Sequence, residues 1–151
     1  KGMPELNKLP WAYFDTSVYL KIYVKEKGSE EAKKLAAKSR ILSSAILPVE
    51  CLSAISRKRE EGFLNDLDLR KAVNHIREGV KYAEIVNITD DVLKKAEAIT
   101  LNHGGRAMDA VHIASALVFE ELTGVKLTFA TSDRKQLLAA DRTGLKTIFV
   151  V

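Results

Sequence analysis

The residues of this chain best suited to chemistry are four carboxylates, Asp15, Glu50, Asp109 and Asp133. Asp15 closes the apolar run Trp11-Ala12-Tyr13-Phe14 and is soon followed by Val18-Tyr19-Leu20. Glu50 sits between Ile46-Leu47-Pro48-Val49 and Cys51-Leu52, and Asp109 between Met108 and Ala110-Val111. Asp133 follows Phe129-Ala130-Thr131-Ser132. An ionised carboxylate in apolar surroundings is costly unless it is paired or bound to metal. The other acids have ordinary explanations. Glu30, Glu31, Asp90 and Asp91 fall in first turns of helices, where negative charge is favoured, and Asp66 and Asp68 open another helix. Taken singly, Asp133 reads best as a helix cap, because Ser-Asp before a helix is common N-cap chemistry. Glu50, with its long apolar flanks, is the acid that capping explains least.

Carboxylates gathered at one place repel one another, and each raises its neighbours' proton affinity. No lysine or arginine adjoins Glu50, whereas Arg106 and Arg134 stand near Asp109 and Asp133. A hard divalent cation would resolve the repulsion, since magnesium and manganese prefer oxygen ligands. Such ions activate water and stabilise charge on a phosphodiester. A net charge of +4 suits a polyanionic substrate, although a basic excess alone is a weak signal.

The surrounding elements place all four acids on one edge. Strands are expected at 11–14, 40–43, 85–88, 128–130 and 147–151. Helices are expected at 18–27, 30–38 behind a Ser29 cap, 48–61, 65–82, 89–101, 107–122 and 134–143. This alternation predicts an α/β fold, a three-layer sandwich whose central, mainly parallel sheet is flanked by helices. Asp15 and Asp133 then follow strands, while Glu50 and Asp109 fall in first turns of helices. In such a sheet these positions share the carboxyl edge, where α/β folds place their sites. The chain reads as one domain over 11–151 behind an extension over 1–10. Lys1 and Gly2 precede a plausible start methionine and read as an expression remnant. With 151 residues, 46% of them hydrophobic and 29% charged, the chain is long and apolar enough to build a core. It contains no apolar run of the roughly 20 residues that a membrane helix requires. The lone Cys51 forms no internal disulfide and reads as a buried core residue in a reducing, cytoplasmic setting.

Other motifs carry less. His112 follows Asp109 by one helical turn, and a hydrogen-bonded core histidine is favoured over a metal ligand. His75 and His103 read as surface residues, and Gly104-Gly105 as a helix stop rather than a phosphate loop. Arg57-Lys58-Arg59 reads as a solvated helix end ahead of an RNA contact. Val18, Tyr19, Ile22 and Tyr23 fit helix packing at least as well as a partner groove.

Four segments, in order, carry a resemblance. They are Phe14-Asp15-Thr16-Ser17, Pro48-Val49-Glu50, the run from Met108-Asp109-Ala110-Val111-His112 through Ala116, and Ala130-Thr131-Ser132-Asp133. The chain resembles the PIN domain over nearly its whole length, and looks most like the VapC-type toxins of toxin–antitoxin pairs. That resemblance implies a magnesium- or manganese-dependent endoribonuclease, a homodimer, and a cognate antitoxin covering the acidic groove. It aligns Asp15, Glu50, Asp109 and Asp133 with the family's acidic positions. Thr16, Thr131 and Ser132 become supporting residues near the metal, and Arg106 and Arg134 candidate RNA contacts. Alternatives are a non-catalytic RNA- or protein-binding module of the same fold and a structure-specific DNA nuclease. An aspartate-based phosphatase is disfavoured, because Ser17 stands where that chemistry wants a second acid.

Overall fold

A computed structural model describes residues 8–151. The readings of Lys1, Gly2 and Met3 lie outside the described residues. Five strands form one sheet: β1 (Trp11–Phe14), β2 (Arg40–Ser44), β3 (Glu84–Val86), β4 (Thr128–Thr131) and β5 (Lys146–Phe149). Their order is β3-β2-β1-β4-β5, and every pairing is parallel. Seven helices are described: α1 (Thr16–Tyr23), α2 (Ser29–Ala37), α3 (Leu47–Glu60), α4 (Asp66–Val80), α5 (Asp90–His103), α6 (Ala107–Thr123) and α7 (Arg134–Arg142).

The period-two alternation of the strands builds two cores. On one face Tyr13, Leu42 and Phe129 pack with α5, α6 and α7. On the other, Ala12, Phe14 and Ala130 pack with α1, α2, α3 and α4. Tyr13 is in register with both Leu42 and Phe129, and its ring stacks on Phe129 with centroids 5.2 Å apart. The three expected layers are therefore present. α6 is the most buried helix, with every residue from Ala110 to Ala116 inside. This is why a charge at its start stands out in the sequence.

Successive strands step outward from β1 to β3, and the chain then returns to pair β4 on β1's other side. The strand order thus reverses between β1 and β4. The carboxyl ends of these two strands flank the crevice where parallel sheets open to ligands.

Some boundaries differ from expectation. α1 stops at Tyr23, and Val24 is already extended. Side chains satisfy the backbone just beyond it: Lys21 donates to the Lys27 carbonyl at 2.6 Å, and Ser29 Oγ donates to the Val24 carbonyl at 3.2 Å. Ser29 is therefore not the cap of α2; that position falls to Gly28, in the left-handed conformation at φ 90°. β3 lies at Glu84–Val86 rather than 85–88, in register with the end of β2.

Candidate active site

Asp15 leaves β1 directly into α1. Its Oδ1 caps the helix by accepting from Val18 N at 3.2 Å, and also accepts from Ser17 Oγ at 2.6 Å. Ser17 Oγ in turn accepts from Ser132 N at 3.0 Å, and Asp15 N donates to the Ala130 carbonyl at 3.2 Å. The ends of β1 and β4 are thereby tied together, and Asp15 is held almost fully buried at 5% exposure.

Glu50 lies in the first turn of α3, behind Pro48 near the helix start. Its Oε1 accepts from Thr16 Oγ1 at 2.6 Å and stands 2.6 Å from His112 Nε2. His112 is 2% exposed, and its Nδ1 lies 2.7 Å from the Tyr13 hydroxyl. Burial pushes the Tyr13 hydroxyl well above the ordinary tyrosine range, so it stays a donor. With Tyr13 donating to Nδ1, the imidazole proton belongs on Nε2 and points to Glu50.

Asp109 is half-buried in the first turn of α6, and its backbone carbonyl accepts from Gln136 Nε2 at 3.0 Å. Asp133 caps α7, where Oδ1 accepts from Lys135 N at 2.8 Å. Thr131 is fully buried, and its Oγ1 accepts from Asp133 N at 3.0 Å.

Asp15, Glu50, Asp109, Asp133, Thr16 and His112 line one open cleft of about 490 Å³. Burial raises the Asp15 carboxyl above its usual range, while the hydroxyls of Ser17 and Thr131 pull it back less strongly. Asp109 is raised too, first by burial and then by the negative charges of Asp133 and Asp15. Burial also pushes Glu50 upward, but the hydrogen bonds from His112 and Thr16 together prevail and hold it below its usual range. One edge of the sheet thus carries acids whose proton affinities are driven apart by their surroundings, a pattern that marks functional sites.

The family described as PIN domain matches residues 12–142. The chain belongs to the PIN-domain family. No curated protein matches it in sequence. Among solved structures it is similar to a toxin–antitoxin complex from Klebsiella pneumoniae, with 18% identity and a TM-score of 0.58 over 83% of this chain and 89% of that one. It is also similar to PAE2754 from Pyrobaculum aerophilum, with 17% identity and a TM-score of 0.63 over 91% of this chain and 89% of that one. FitAcB from Neisseria gonorrhoeae shares 20% identity, with a TM-score of 0.60 over 91% of this chain and 96% of that one. At these identities the likeness is one of fold.

On this PIN scaffold the four acids line a common cleft without closing a ligand shell. Among the described residues, no three His, Cys, Asp or Glu side chains stand close enough together to grip one ion. The donor chemistry nonetheless fits a hard divalent cation. Among the described residues, no lysine or arginine forms an ion pair with any of the four acids. The buried Ser132 Oγ has no hydrogen-bond partner among them either. The cleft is lined by carboxylate oxygens that want positive charge.

The two arginines expected near the site part company. Arg106 lines the cleft, but the Arg134 guanidinium lies over the Phe149 ring, 4.1 Å from its centroid, and lines neither cavity at the carboxylates. A cation stacked on an aromatic face is already partnered. Arg57 lines the cleft beside Ser53, although its sequence setting reads as a solvated helix end. It reaches the cleft by lying two turns along α3 from Glu50, a spacing visible in the sequence. Ser17 and Tyr13 carry no such signal, since their roles depend on partners 115 and 99 residues away.

Proposed function

We propose that this PIN-domain protein is a divalent-metal-dependent endoribonuclease, the toxin of a toxin–antitoxin pair. The observation that carries this reading is the cleft itself. Three carboxylates without a cationic side-chain partner face a fourth, Glu50, whose orientation is fixed by His112 and Thr16. Asp15, Glu50 and Asp109 would hold magnesium or manganese in part through the ion's own waters, since they do not close on one point, and Asp133 would assist a second ion or orient water. A bound ion would supply charge neutralisation at the phosphodiester and a more acidic water.

The chain's own part is positional. Ser17 and Val18 N occupy Asp15 Oδ1, and Thr16 and His112 occupy Glu50 Oε1. A carboxylate held in this way has less freedom left to lose on binding. Hydrolysis adds a water oxygen to phosphorus, breaks one P–O bond to ribose and returns a proton to the leaving oxygen.

The toxin role draws support from the fold likeness, since the Klebsiella structure is a toxin–antitoxin complex. A cognate antitoxin covering the cleft and a homodimeric assembly belong to the same proposal. Among the described residues, no helix is long and apolar enough to cross a membrane. The test is cleavage of single-stranded RNA and of DNA, with magnesium or manganese and with chelator, by the parent and by Asp15→Asn and Asp109→Asn. Metal-dependent RNA cleavage lost in both variants supports the reading. Cleavage of DNA alone, or cleavage undiminished in either variant, rejects it.

A further inference from the structure

A second cavity, of about 340 Å³, opens between the end of α5, the start of α6 and α7. It shares Arg106, Asp109 and Asp133 with the carboxylate cleft, so the two are continuous along those residues. Its lining is divided. Ile99 and Ile113, 6% and 1% exposed, close its apolar floor, and Leu138, 53% exposed, supplies the accessible apolar surface at the rim. Arg106, Lys135 and Arg142 are exposed around it, and among the described residues none forms an ion pair.

We propose that this cavity seats one nucleotide of the RNA strand next to the scissile phosphodiester. Its base would lie against Leu138, over a floor closed by Ile99 and Ile113, and its flanking phosphates would meet Lys135, Arg142 and Arg106. This proposal rests on the ribonuclease reading and adds the place where the strand is held. The volume matches the lower end of small-ligand pockets, the scale of a single nucleotide. Apolar surface ringed by unpaired cations suits a ligand with a flat face and a charged backbone. A basic peptide would pair with Asp109 and Asp133 but bring its charge against three cations. An acidic peptide would offer nothing to cover the apolar lining.

Binding is read by fluorescence anisotropy of a short, labelled, mixed-sequence RNA 12-mer with the full chain, in chelator so that no cleavage intervenes. The double variant Lys135→Ala/Arg142→Ala should weaken binding about tenfold and flatten the dependence of log Kd on log salt by about 1.4, the share of two single-strand phosphate contacts. The charge-matched control Lys34→Ala/Lys94→Ala, at exposed positions of α2 and α5 that line neither cavity, should keep binding within about twofold. Leu138→Asp, on exposed surface, should weaken binding with the double variant's order of effect. Equal losses in the double variant and the control would overturn the proposal, as would RNA affinity unchanged in the double variant, the result expected if a peptide segment occupies the cavity. The two readings fail separately. A chain that binds RNA through Lys135 and Arg142 but cleaves none with magnesium or manganese refutes the nuclease and keeps the subsite. Cleavage that the double variant leaves intact refutes the subsite and keeps the nuclease.

Discussion

His112 Nε2 lies 2.6 Å from Glu50 Oε1, so a histidine rooted in one helical layer holds an acid supplied by the other. The contact bridges the carboxyl edge of the sheet, and Tyr13, on the central strand, fixes the far side of the ring at 2.7 Å. Glu50 is consequently oriented by the core rather than by solvent.

Replacing this histidine should therefore harm both fold and site. His112→Phe fills similar space but leaves the Tyr13 hydroxyl buried without its partner, at a cost of about 1–3 kcal/mol. Freed from His112, Glu50 should bind metal less well, and cleavage at limiting magnesium should fall roughly 10–100-fold, the usual effect of losing a residue that orients a ligand. His112→Gln, which retains a donor for Glu50, should recover part of the metal affinity. Calorimetric titration with manganese beside thermal melts separates the two effects. Unchanged metal affinity in His112→Phe would show that Glu50 needs no support.

Asp109 makes a prediction about pH. Its carboxyl is raised in the fold, first by burial and then by Asp133 and Asp15. The folded chain therefore binds a proton more readily than the unfolded one. Metal-free stability should fall as pH climbs from the ordinary aspartate value through the raised one. Asp109→Asn removes this penalty. It should melt higher than the parent at neutral pH in chelator, by on the order of 1 kcal/mol after allowing for its half-exposed position. The advantage should shrink towards nothing on acidification below about pH 4. Thermal melts of both proteins across pH check the sign, and a variant less stable than the parent at pH 7 in chelator would contradict it.

Asp15→Asn should behave alike in chelator. Burial is the main cause of the raised Asp15 carboxyl, and the amide oxygen can still accept from Val18 N and Ser17. An apo melting temperature equal to or above the parent's is expected. A large drop would show that the negative charge itself helps hold β1 to β4.

Gly79 gives a prediction independent of chemistry. A Cβ placed there would stand 1.8 Å from the Tyr23 hydroxyl and 3.0 Å from that of Tyr19. Gly79→Ala must push α4 away from α1 or turn the tyrosines, whose rings pack with centroids 5.3 Å apart. A loss of about 1–3 kcal/mol is expected by chemical denaturation, against the gain an alanine usually brings to a helix interior. A stabilised variant would mean that the helix pair has slack there.

Much of this was legible in the sequence. Strand–helix alternation identified the layers, and the apolar flanks of Asp15, Glu50 and Asp109 drew attention to acids that the fold brings to one cleft, although Asp15 also caps α1. The three-residue step from Asp109 to His112 put the histidine on the same helical face, and its hydrogen-bonded core setting is what the structure shows. Its partner could not be read, because the Glu50 contact spans 62 residues and depends on how two layers meet. Arg134 misled for a related reason. Proximity to Asp133 along the chain says nothing of direction, and the ring of Phe149 draws the guanidinium away. The second cavity was invisible for the same cause: Ile99, Ile113 and Leu138 come from three helices, and each alone reads as an ordinary apolar position.

The most direct test is RNA cleavage by the parent and by Asp15→Asn, followed in magnesium, in manganese and in chelator. Cleavage by the parent that requires the ion and falls about 100-fold or more in the variant, while the variant's fold persists, is the expected result. Cleavage by the parent in chelator, or equal rates in both proteins with the ion present, would contradict the account.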